Sequence, residues 1–229
     1  SSGNFHEGNA RMYTDYLLMT AQKNIVREVN AVFDFIEKPY SPIRFKELLV
    51  SPNEMKQKFV RLINDEIRNK QAGKPAYIKV KINHVTDPVI VKKLYEASAN
   101  GVEIDMVVRG NCSLITGVRG VSDTIRINGI IDRYLEHSRI FIFAAGGEEE
   151  VFIGSADWMP RNLDNRIEVI TPIYDADLKA DLRQVVEFGL KDTLQGRWWM
   201  AVGRIYLGTA MTDFRSVHKK RYTIIIKIQ

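Results

Sequence analysis

The chain opens with an apolar segment and then an amphipathic one. Residues 12–20 are rich in β-forming residue types and are predicted to form a strand. Over residues 22–37 apolar side chains recur every three or four positions, which predicts an amphipathic helix. Two prolines within residues 38–42 interrupt this pattern. We therefore expect a domain boundary here, with residues 1–42 in a first, incomplete domain and 43–229 in a second.

The second part begins with a short strand and a long helix. The strand is predicted at 44–50 and the helix at 51–73, with Ser51 as the N-cap and Pro52 in the first turn. The apolar positions that follow mark one face of this helix until Gly73 ends it.

A β-α-β unit follows. It comprises a strand over 76–83, a helix that Asp87 and Pro88 begin and that ends at residue 99, and a strand over 102–108. Such a unit implies two parallel strands with a right-handed crossover. Further strands are predicted at 124–127, 139–144, 151–153 and 166–171, a helix at 175–193, and an unplaced tail from about residue 199 with a strand candidate at 222–228. The alternation predicts an α/β class with a mostly parallel or mixed sheet flanked by helices.

Composition narrows the class of protein without assigning a function. No apolar run is long enough to span a bilayer, and the first residues do not form a signal peptide. Cys112 is the only cysteine, so no internal disulfide is available, which suits a reducing cytoplasm. Four scattered histidines do not resemble a zinc site, and His84 and His218 are expected at the surface. The formal charge of +5 permits a polyanionic partner but does not require one.

The chain contains an internal repeat, in which residues 1–16 align with 154–169 at a constant offset of 153. The aligned pairs are Ser2 with Ser155, Asn4 with Asp157, Phe5 with Trp158, Asn9 with Asn162, and Asp15 with Glu168. The repeat indicates that Ser1-Ser2-Gly3 is native sequence rather than a cloning remnant. The counterpart of His137 would fall at position −16, because 137 − 153 = −16. We therefore expect the chain to be cut from a longer protein.

Five residues of the second copy form a recognisable order. His137 and Arg139 make an H-x-R pair, and Ser155, Asp157 and Glu168 follow as G-S-x-D and an acidic residue eleven positions later. This order resembles the phospholipase D superfamily pattern of H-x-K, G-S-x-N and a later acid, in which two histidines act across one phosphoryl group. Histidine suits nucleophilic attack and proton transfer because its charge changes near neutral pH.

The superfamily resemblance suggests a role for each residue and also shows two departures. Arg139 is expected to hold phosphate oxygens, Ser155 to donate to one, and Glu168 to orient the histidine. Arg139 replaces the superfamily lysine and Asp157 its asparagine. A carboxylate facing a phosphate is unfavourable unless it is paired, so these departures weaken the case for a simple phosphodiesterase.

A more specific resemblance covers about residues 1 to 195. The four blocks that carry it are G-N-F-H-E-G-N-A-R-M-Y-T-D-Y (3–16), V-V-R-G-N-C-S-L (107–114), R-Y-L-E-H-S-R-I-F (133–141) and G-S-A-D-W-M-P-R-N-L-D-N-R-I-E-V (154–169). In this order they resemble the C-terminal half of bacterial polyphosphate kinase. The resemblance implies a phospholipase D-like fold and reversible transfer of the terminal phosphate of ATP to polyphosphate through a phosphohistidine.

The same resemblance implies a set of site residues. Tyr13, Arg109 and His137 match the nucleotide-binding residues of the family, and His137 would also be the catalytic acid or base. Asp15 and Glu168 are the expected orienting carboxylates. A second, weaker set of phosphate or polyphosphate contacts comprises Arg139, Ser155, Asp157, Arg161 and Arg166. For the last two of these the alternative is pairing with Asp164 and Glu168.

Cofactors and partners also follow only from the resemblance. It implies ATP or ADP, inorganic polyphosphate and Mg²⁺, with the phosphohistidine and the magnesium ligands upstream of this chain, so no metal ligand is assigned here. The isolated 229-residue chain is accordingly expected to be inactive. The resemblance also allows a homo-oligomer and peripheral membrane association of a cytoplasmic protein, although no residue pattern here indicates oligomerisation or membrane association.

Two other functions remain open from the sequence. One is a phospholipase D-like nuclease or phosphodiesterase, which would cleave a bis-phosphodiester. The other is a polyanion-binding module without chemistry. Basic residues interleaved with aromatic ones are not clustered in this sequence, so no specific nucleic-acid partner is expected.

Overall fold

The computed structural model describes residues 1–40, 42–198, 206–207 and 224–227. The helices are α1 (Glu7–Met12), α2 (Lys23–Glu37), α3 (Met55–Gln71), α4 (Pro88–Ala99) and α5 (Ala176–Lys191), with a 3-10 turn at Ala145–Gly147 and a π-helical turn at Arg161–Asn165. The strands are β1 (Tyr13–Thr14), β2 (Tyr16–Met19), β3 (Leu49–Ser51), β4 (Tyr77–Ile82), β5 (Glu103–Val108), β6 (Ile125–Ile130), β7 (Leu135–Glu136), β8 (Arg139–Phe143), β9 (Glu150–Gly154), β10 (Glu168–Ile173), β11 (Gly196–Trp198), β12 (Tyr206–Leu207) and β13 (Ile224–Lys227).

Nine of the described strands form one mixed sheet. Their order is β12-β11-β6-β5-β4-β8-β9-β10-β3, in which β4, β5 and β6 are parallel and the other neighbours antiparallel. Helices α3 and α4 cover one face, where Phe59, Phe141 and Trp158 pack with ring centroids 4.8 to 5.4 Å apart. Helix α5 covers the other face. The predicted mixed α/β sheet flanked by helices is confirmed.

The β4-α4-β5 unit forms as its local sequence signals predict. The Asp87 side chain accepts hydrogen bonds from the backbone N–H groups of Val89 and Ile90, both at 3.0 Å, and Pro88 occupies the first turn. Gly101 ends the helix with a φ of 82°, a conformation that favours glycine. Strands β4 and β5 then pair in parallel, as predicted.

The register of the sheet gathers several strand ends at one edge. Ile82, the last residue of β4, pairs with Val108, the last of β5. The next strand, β8, runs antiparallel to β4 and starts at Arg139, which pairs with Gly154 at the end of β9. The chain segments that leave these strands therefore emerge close together at this edge, which we call the site edge.

The predicted strand over 12–20 is wrong in part. Met12 belongs to helix α1, which ends there. Asp15 separates β1 from β2, and its side chain accepts a hydrogen bond from the hydroxyl of Ser2. The predicted N-cap at Ser51 is also wrong. Ser51 ends β3 and donates its hydroxyl hydrogen to the carbonyl oxygen of Asn162 at 2.6 Å, while α3 begins only at Met55.

Only the end of the predicted strand at 44–50 is strand, as part of β3, because a buried carboxylate binds the backbone of residues 46–48. The backbone N–H groups of Lys46, Glu47 and Leu48 all donate to Glu28 of α2, at 2.7 to 3.2 Å. These donors are consequently unavailable to a neighbouring strand. Of the predicted strand at 222–228, β13 is described and pairs in parallel with β2, and the remaining residues lie outside the described part.

No helix in the described part of the chain is sufficiently long and apolar to cross a membrane.

Candidate active site

The N-terminal block and the His137 block meet through a short parallel pairing. Strand β1 lies beside β7, with Tyr13 opposite Leu135 and Thr14 opposite Glu136. The backbone N–H of His137 then donates to the carbonyl oxygen of Thr14 at 3.2 Å. Residues more than 120 positions apart are thereby brought to the same end of the sheet.

Asp15 orients the His137 ring. The Nδ1 atom of His137 lies 2.8 Å from Oδ1 of Asp15, and the two side chains are 22% and 21% exposed. The hydroxyl of Ser2 donates to the same Oδ1 atom, also at 2.8 Å. Because an ionised carboxylate only accepts, Nδ1 carries the hydrogen. Nε2, with which no described residue forms a hydrogen bond, is then available for proton transfer.

The environment of Asp15 keeps it ionised. Burial opposes ionisation, but the hydrogen bonds from His137 and Ser2 and the positive charges of His137 and Arg139 outweigh burial and hold the pKa of Asp15 below its ordinary value. The ionised carboxylate in turn accepts the hydrogen on Nδ1 of His137 and so holds the ring in one tautomer. The pair is therefore suited to a histidine that exchanges a proton with a ligand.

Tyr13 lies beside the His137 ring, and Arg109 lies at the site edge directly after β5. The Tyr13 ring centroid is 4.8 Å from that of His137, at an interplanar angle of 49°. Arg109 follows the end of β5 and donates from Nε to the side-chain oxygen of Asn83 at 3.1 Å. No carboxylate pairs with Arg109 among the described residues, so its two terminal amino groups can bind an anion.

Arg139 and Asp157 bind each other, which changes the role assigned to both. Nε and Nη2 of Arg139 donate to the two Asp157 oxygens at 3.1 Å each, and the side chains are 8% and 5% exposed. Nη1 donates to the backbone oxygens of Ser2, at 3.1 Å, and His137, at 2.7 Å. The donors of Arg139 and the acceptors of Asp157 are therefore used within the protein rather than for the expected phosphate contacts. Arg139 acts as a buried clamp that links Ser2 of the first copy to Asp157 of the second.

The repeat is present as matching hydrogen bonds. Ser2 donates its hydroxyl hydrogen to Asp15, and Ser155 donates its own to Glu168. Each serine oxygen also accepts from the backbone N–H one residue after the acid, at 2.9 Å from Tyr16 and 3.3 Å from Val169. The two acids thus occupy equivalent positions.

Glu168 differs from the expectation that it orients His137, because Asp15 makes that contact. Its carboxylate accepts instead from Ser155 and from the Asn162 side-chain nitrogen, the latter at 2.6 Å. Ser155 is accordingly committed to Glu168, which argues against the expected phosphate contact.

Arg161 and Arg166 are exposed, and neither forms an ion pair with another described residue. Asp164, one alternative partner, binds Lys56. Glu168, the other, binds Ser155 and Asn162 as described above. These contacts leave both guanidinium groups available to a polyanion.

The sequence analysis missed His84, which was expected at the surface. This half-buried residue lies two positions after the end of β4 and donates its backbone N–H to Asp157 at 3.4 Å. Burial, together with the charges of Arg109, Arg161 and Arg139, lowers the pKa of His84, although Asp157 acts in the opposite direction. The signal that could have found it is its place after a strand end, where ligands gather in open α/β sheets.

The described residues do not fit a magnesium site. No three His, Cys, Asp or Glu side chains come together among them in a way that could hold a metal ion. The carboxylates at the site edge are bound to protein donors, as the contacts of Asp15, Asp157 and Glu168 show.

Comparison with known proteins gives a consistent set of relatives. Residues 1–42 match the family described as Polyphosphate kinase C-terminal domain 1, and residues 48–218 match Polyphosphate kinase C-terminal domain 2. The polyphosphate kinase of Vibrio cholerae serotype O1 is 48% identical over 196 residues, covering 86% of this chain and 28% of that protein. The polyphosphate kinase of Escherichia coli is 46% identical over 197 residues, covering 86% of this chain and 29% of that protein.

The crystal structure of polyphosphate kinase from Porphyromonas gingivalis has a TM-score of 0.85 and 39% sequence identity to this chain. The match covers 92% of this chain and 32% of that one. The chain therefore spans less than a third of the length of these relatives.

Proposed function

The chain belongs to the polyphosphate kinase family, and on this premise we propose that it forms one half of a catalytic centre that transfers the terminal phosphate of ATP reversibly to polyphosphate. The observation that carries the proposal is the contact between Asp15 and the Nδ1 atom of His137 at 2.8 Å. It supports the proposal because it holds the His137 ring in one orientation at the site edge, in the residue block that resembles the family's nucleotide site.

His137 acts through its Nε2 atom. When the ring is protonated, Nε2–H donates its proton to the phosphoryl oxygen that leaves with ADP, and in the reverse direction the neutral ring removes that proton. Asp15 stabilises the protonated ring, and Ser2 holds the carboxylate in place. Arg109 binds phosphate oxygens through its free amino groups, and Tyr13 contacts the nucleotide beside the histidine ring.

Glu168 has an equivalent task toward a second histidine. Because Glu168 and Asp15 make matching contacts with Ser155 and Ser2, Glu168 orients the phosphorylated histidine as Asp15 orients His137. That histidine is the residue predicted before Ser1 from the repeat. The two rings would then face each other across the transferred phosphorus atom.

Polyphosphate passes the site edge on the side of Arg161 and Arg166, whose guanidinium groups have no carboxylate partner among the described residues. ATP supplies the transferred phosphate when bound. Magnesium is a cofactor of the proposed reaction whose ligands lie outside the described residues, and no step here depends on it. A cytoplasmic location, peripheral membrane association and a homo-oligomer belong to the same proposal.

The test is turnover of the complete kinase chain that contains this sequence. His137→Ala should lower polyphosphate synthesis by roughly 10²–10⁴-fold, the usual contribution of one acid or base group. His6→Ala is the control, since His6 is exposed and its hydrogen bonds with described residues stay within its own turn. Near-normal turnover of His137→Ala would remove this residue from the mechanism, and cleavage of a bis-phosphodiester by the wild type would support a phosphodiesterase instead.

A second measurement uses the 229-residue chain alone. It should extend no polyphosphate from radiolabelled ATP because the phosphorylated histidine is absent from it. Chain growth by this polypeptide would contradict the two-histidine proposal.

A further inference from the structure

The segment after β4 lies between two other loops at the site edge. Val85 forms bridges to both Cys112 and Trp158. One residue earlier, the carbonyl oxygen of His84 accepts from the backbone N–H of Trp158 at 3.1 Å. His84 is therefore held between the loop that follows β5 and the loop that follows β9.

The His84 ring is fixed in one tautomer. The backbone N–H of Asn111 donates to Nδ1 at 3.0 Å, so Nδ1 has no hydrogen and the neutral ring carries its hydrogen on Nε2. A Cβ atom at Gly110 would overlap this ring, so glycine allows the loop to lie directly against it. No described residue forms a hydrogen bond with Nε2.

The charges near His84 favour an anionic ligand. Arg109 and Arg161 are both close enough to lower the pKa of the ring, after the larger effect of burial, and neither has a carboxylate partner among the described residues. Arg139, the third nearby cation, is already neutralised by Asp157. The neutral ring therefore presents one donor in the vicinity of two guanidinium groups that no described carboxylate neutralises.

We infer that His84 is an additional phosphate-binding residue, which donates its Nε2–H to a phosphoryl oxygen of a polyphosphate chain that Arg109 and Arg161 attract by their charge. This inference rests on the proposed function. Tyr13 and His137 meet at the β1–β7 pairing, whereas His84 lies against the loops after β5 and β9. The neutral His84 ring would bind a phosphate oxygen more weakly than a third positively charged side chain would.

The experiment compares two substitutions of His84, one that keeps the acceptor at the Nδ1 position and one that keeps the donor at the Nε2 position. In His84→Asn the amide oxygen takes the place of Nδ1 and can still accept from Asn111, but no donor reaches the Nε2 position. In His84→Gln the longer amide reaches the Nε2 position with an N–H donor. His6→Asn is the matched control because His6 also accepts from a backbone N–H, that of Gly8 at 3.0 Å, in an exposed turn.

The dissociation constants for linear polyphosphate of one defined length and for ATP are measured on the complete kinase chain. His84→Asn should raise the constant for polyphosphate about tenfold, the effect of losing one hydrogen bond to a charged group, while the constant for ATP changes less than about twofold. His84→Gln and His6→Asn should both bind polyphosphate nearly as the wild type does.

Three results would overturn the inference. These are unchanged polyphosphate affinity in His84→Asn, a loss confined to ATP, or a larger loss in His84→Gln than in His84→Asn, which would mean that the ring serves only to hold Asn111. Absence of polyphosphate synthesis by the complete wild-type kinase chain would instead refute the proposed function, so the two failures are distinguishable.

Discussion

Replacing Asp15 with asparagine isolates the contribution of its charge. Both hydrogen bonds to this side chain, from His137 and from Ser2, end at the same oxygen, Oδ1. An asparagine side chain has nearly the same shape as aspartate and retains an oxygen there. Ser2 keeps this amide oxygen toward His137, because the serine oxygen already accepts from Tyr16 and its hydrogen points to Oδ1.

The expected magnitude follows from this geometry. A hydrogen bond to a charged group contributes about 1.5–3 kcal/mol, and a neutral one about 0.5–1.5 kcal/mol. Since both side chains are mostly buried, we take the difference of roughly 1.4 kcal/mol without a large reduction for solvent screening. A protonated His137 ring becomes less stable by that amount, so turnover should fall about tenfold.

The assay is polyphosphate synthesis by the complete kinase chain at saturating ATP. Adding Ser2→Ala to Asp15→Asn frees the amide to rotate, so that its N–H₂ can face Nδ1 and force the wrong tautomer. The double variant should therefore lose far more, up to about 10⁴-fold, as when an orienting aspartate is replaced in a serine protease. Wild-type turnover in Asp15→Asn, or no further loss in the double variant, would refute this reasoning.

Stability against pH provides an independent check on Asp15. Its folded pKa lies below the ordinary value of 3.8, so the ionised carboxylate stabilises the fold above that pH, and the contribution is lost as the pH falls through the folded value. The difference in free energy of unfolding between the wild type and Asp15→Asn should accordingly shrink as the pH falls from neutral through 3.8 and below. Chemical denaturation at a series of pH values measures it, and a difference that grows with acidity would contradict the assignment.

Three further predictions concern the rest of the site edge and the single cysteine. Asp157→Ala should lower the free energy of unfolding by about 3–5 kcal/mol because it leaves the buried Arg139 unpaired, and a loss below about 1 kcal/mol in urea denaturation would contradict a buried clamp. Gly3→Ala should reduce turnover because the added Cβ overlaps the Asp15 carboxylate, and it should lower the melting temperature less than Asp157→Ala does. Unchanged turnover of Gly3→Ala would argue against this contact. Burial raises the pKa of Cys112 from 9.0 to about 11, so iodoacetamide should label the folded chain at pH 8 about a hundredfold more slowly than the urea-unfolded chain, and equal rates by mass spectrometry would show an accessible thiolate.

Several elements could be predicted because their causes are local. The helix that begins at Asp87 and Pro88 is set by a cap, a first-turn proline and an apolar face, all within a few residues. The failure at Ser51 has the opposite origin. Its neighbours suit a helix start, but pairing of β3 with β10 and a hydrogen bond to Asn162 hold it at the end of a strand.

The candidate site divides in the same way. His137 and Arg109 were predicted as site residues from their sequence blocks, and the repeat aligned the two serine–acid pairs that the structure shows hydrogen-bonded. Arg139 was expected to bind phosphate because its spacing from His137 fits that role. Its burial against Asp157 depends on how β8 lies beside β9, which residue spacing does not specify.

The amino-acid sequence by itself determined the α/β class, the duplication and the histidine block at 133–141, because periodicity, capping and motif spacing are properties of nearby residues. Only the tertiary structure decided that Asp15 rather than Glu168 contacts His137. Those partners are 122 positions apart, and their distance depends on the parallel pairing of two-residue strands and on the packing around it. A hydrogen bond forms only within a few tenths of an ångström of about 2.9 Å, so the folded arrangement of the chain selects which carboxylate meets which ring.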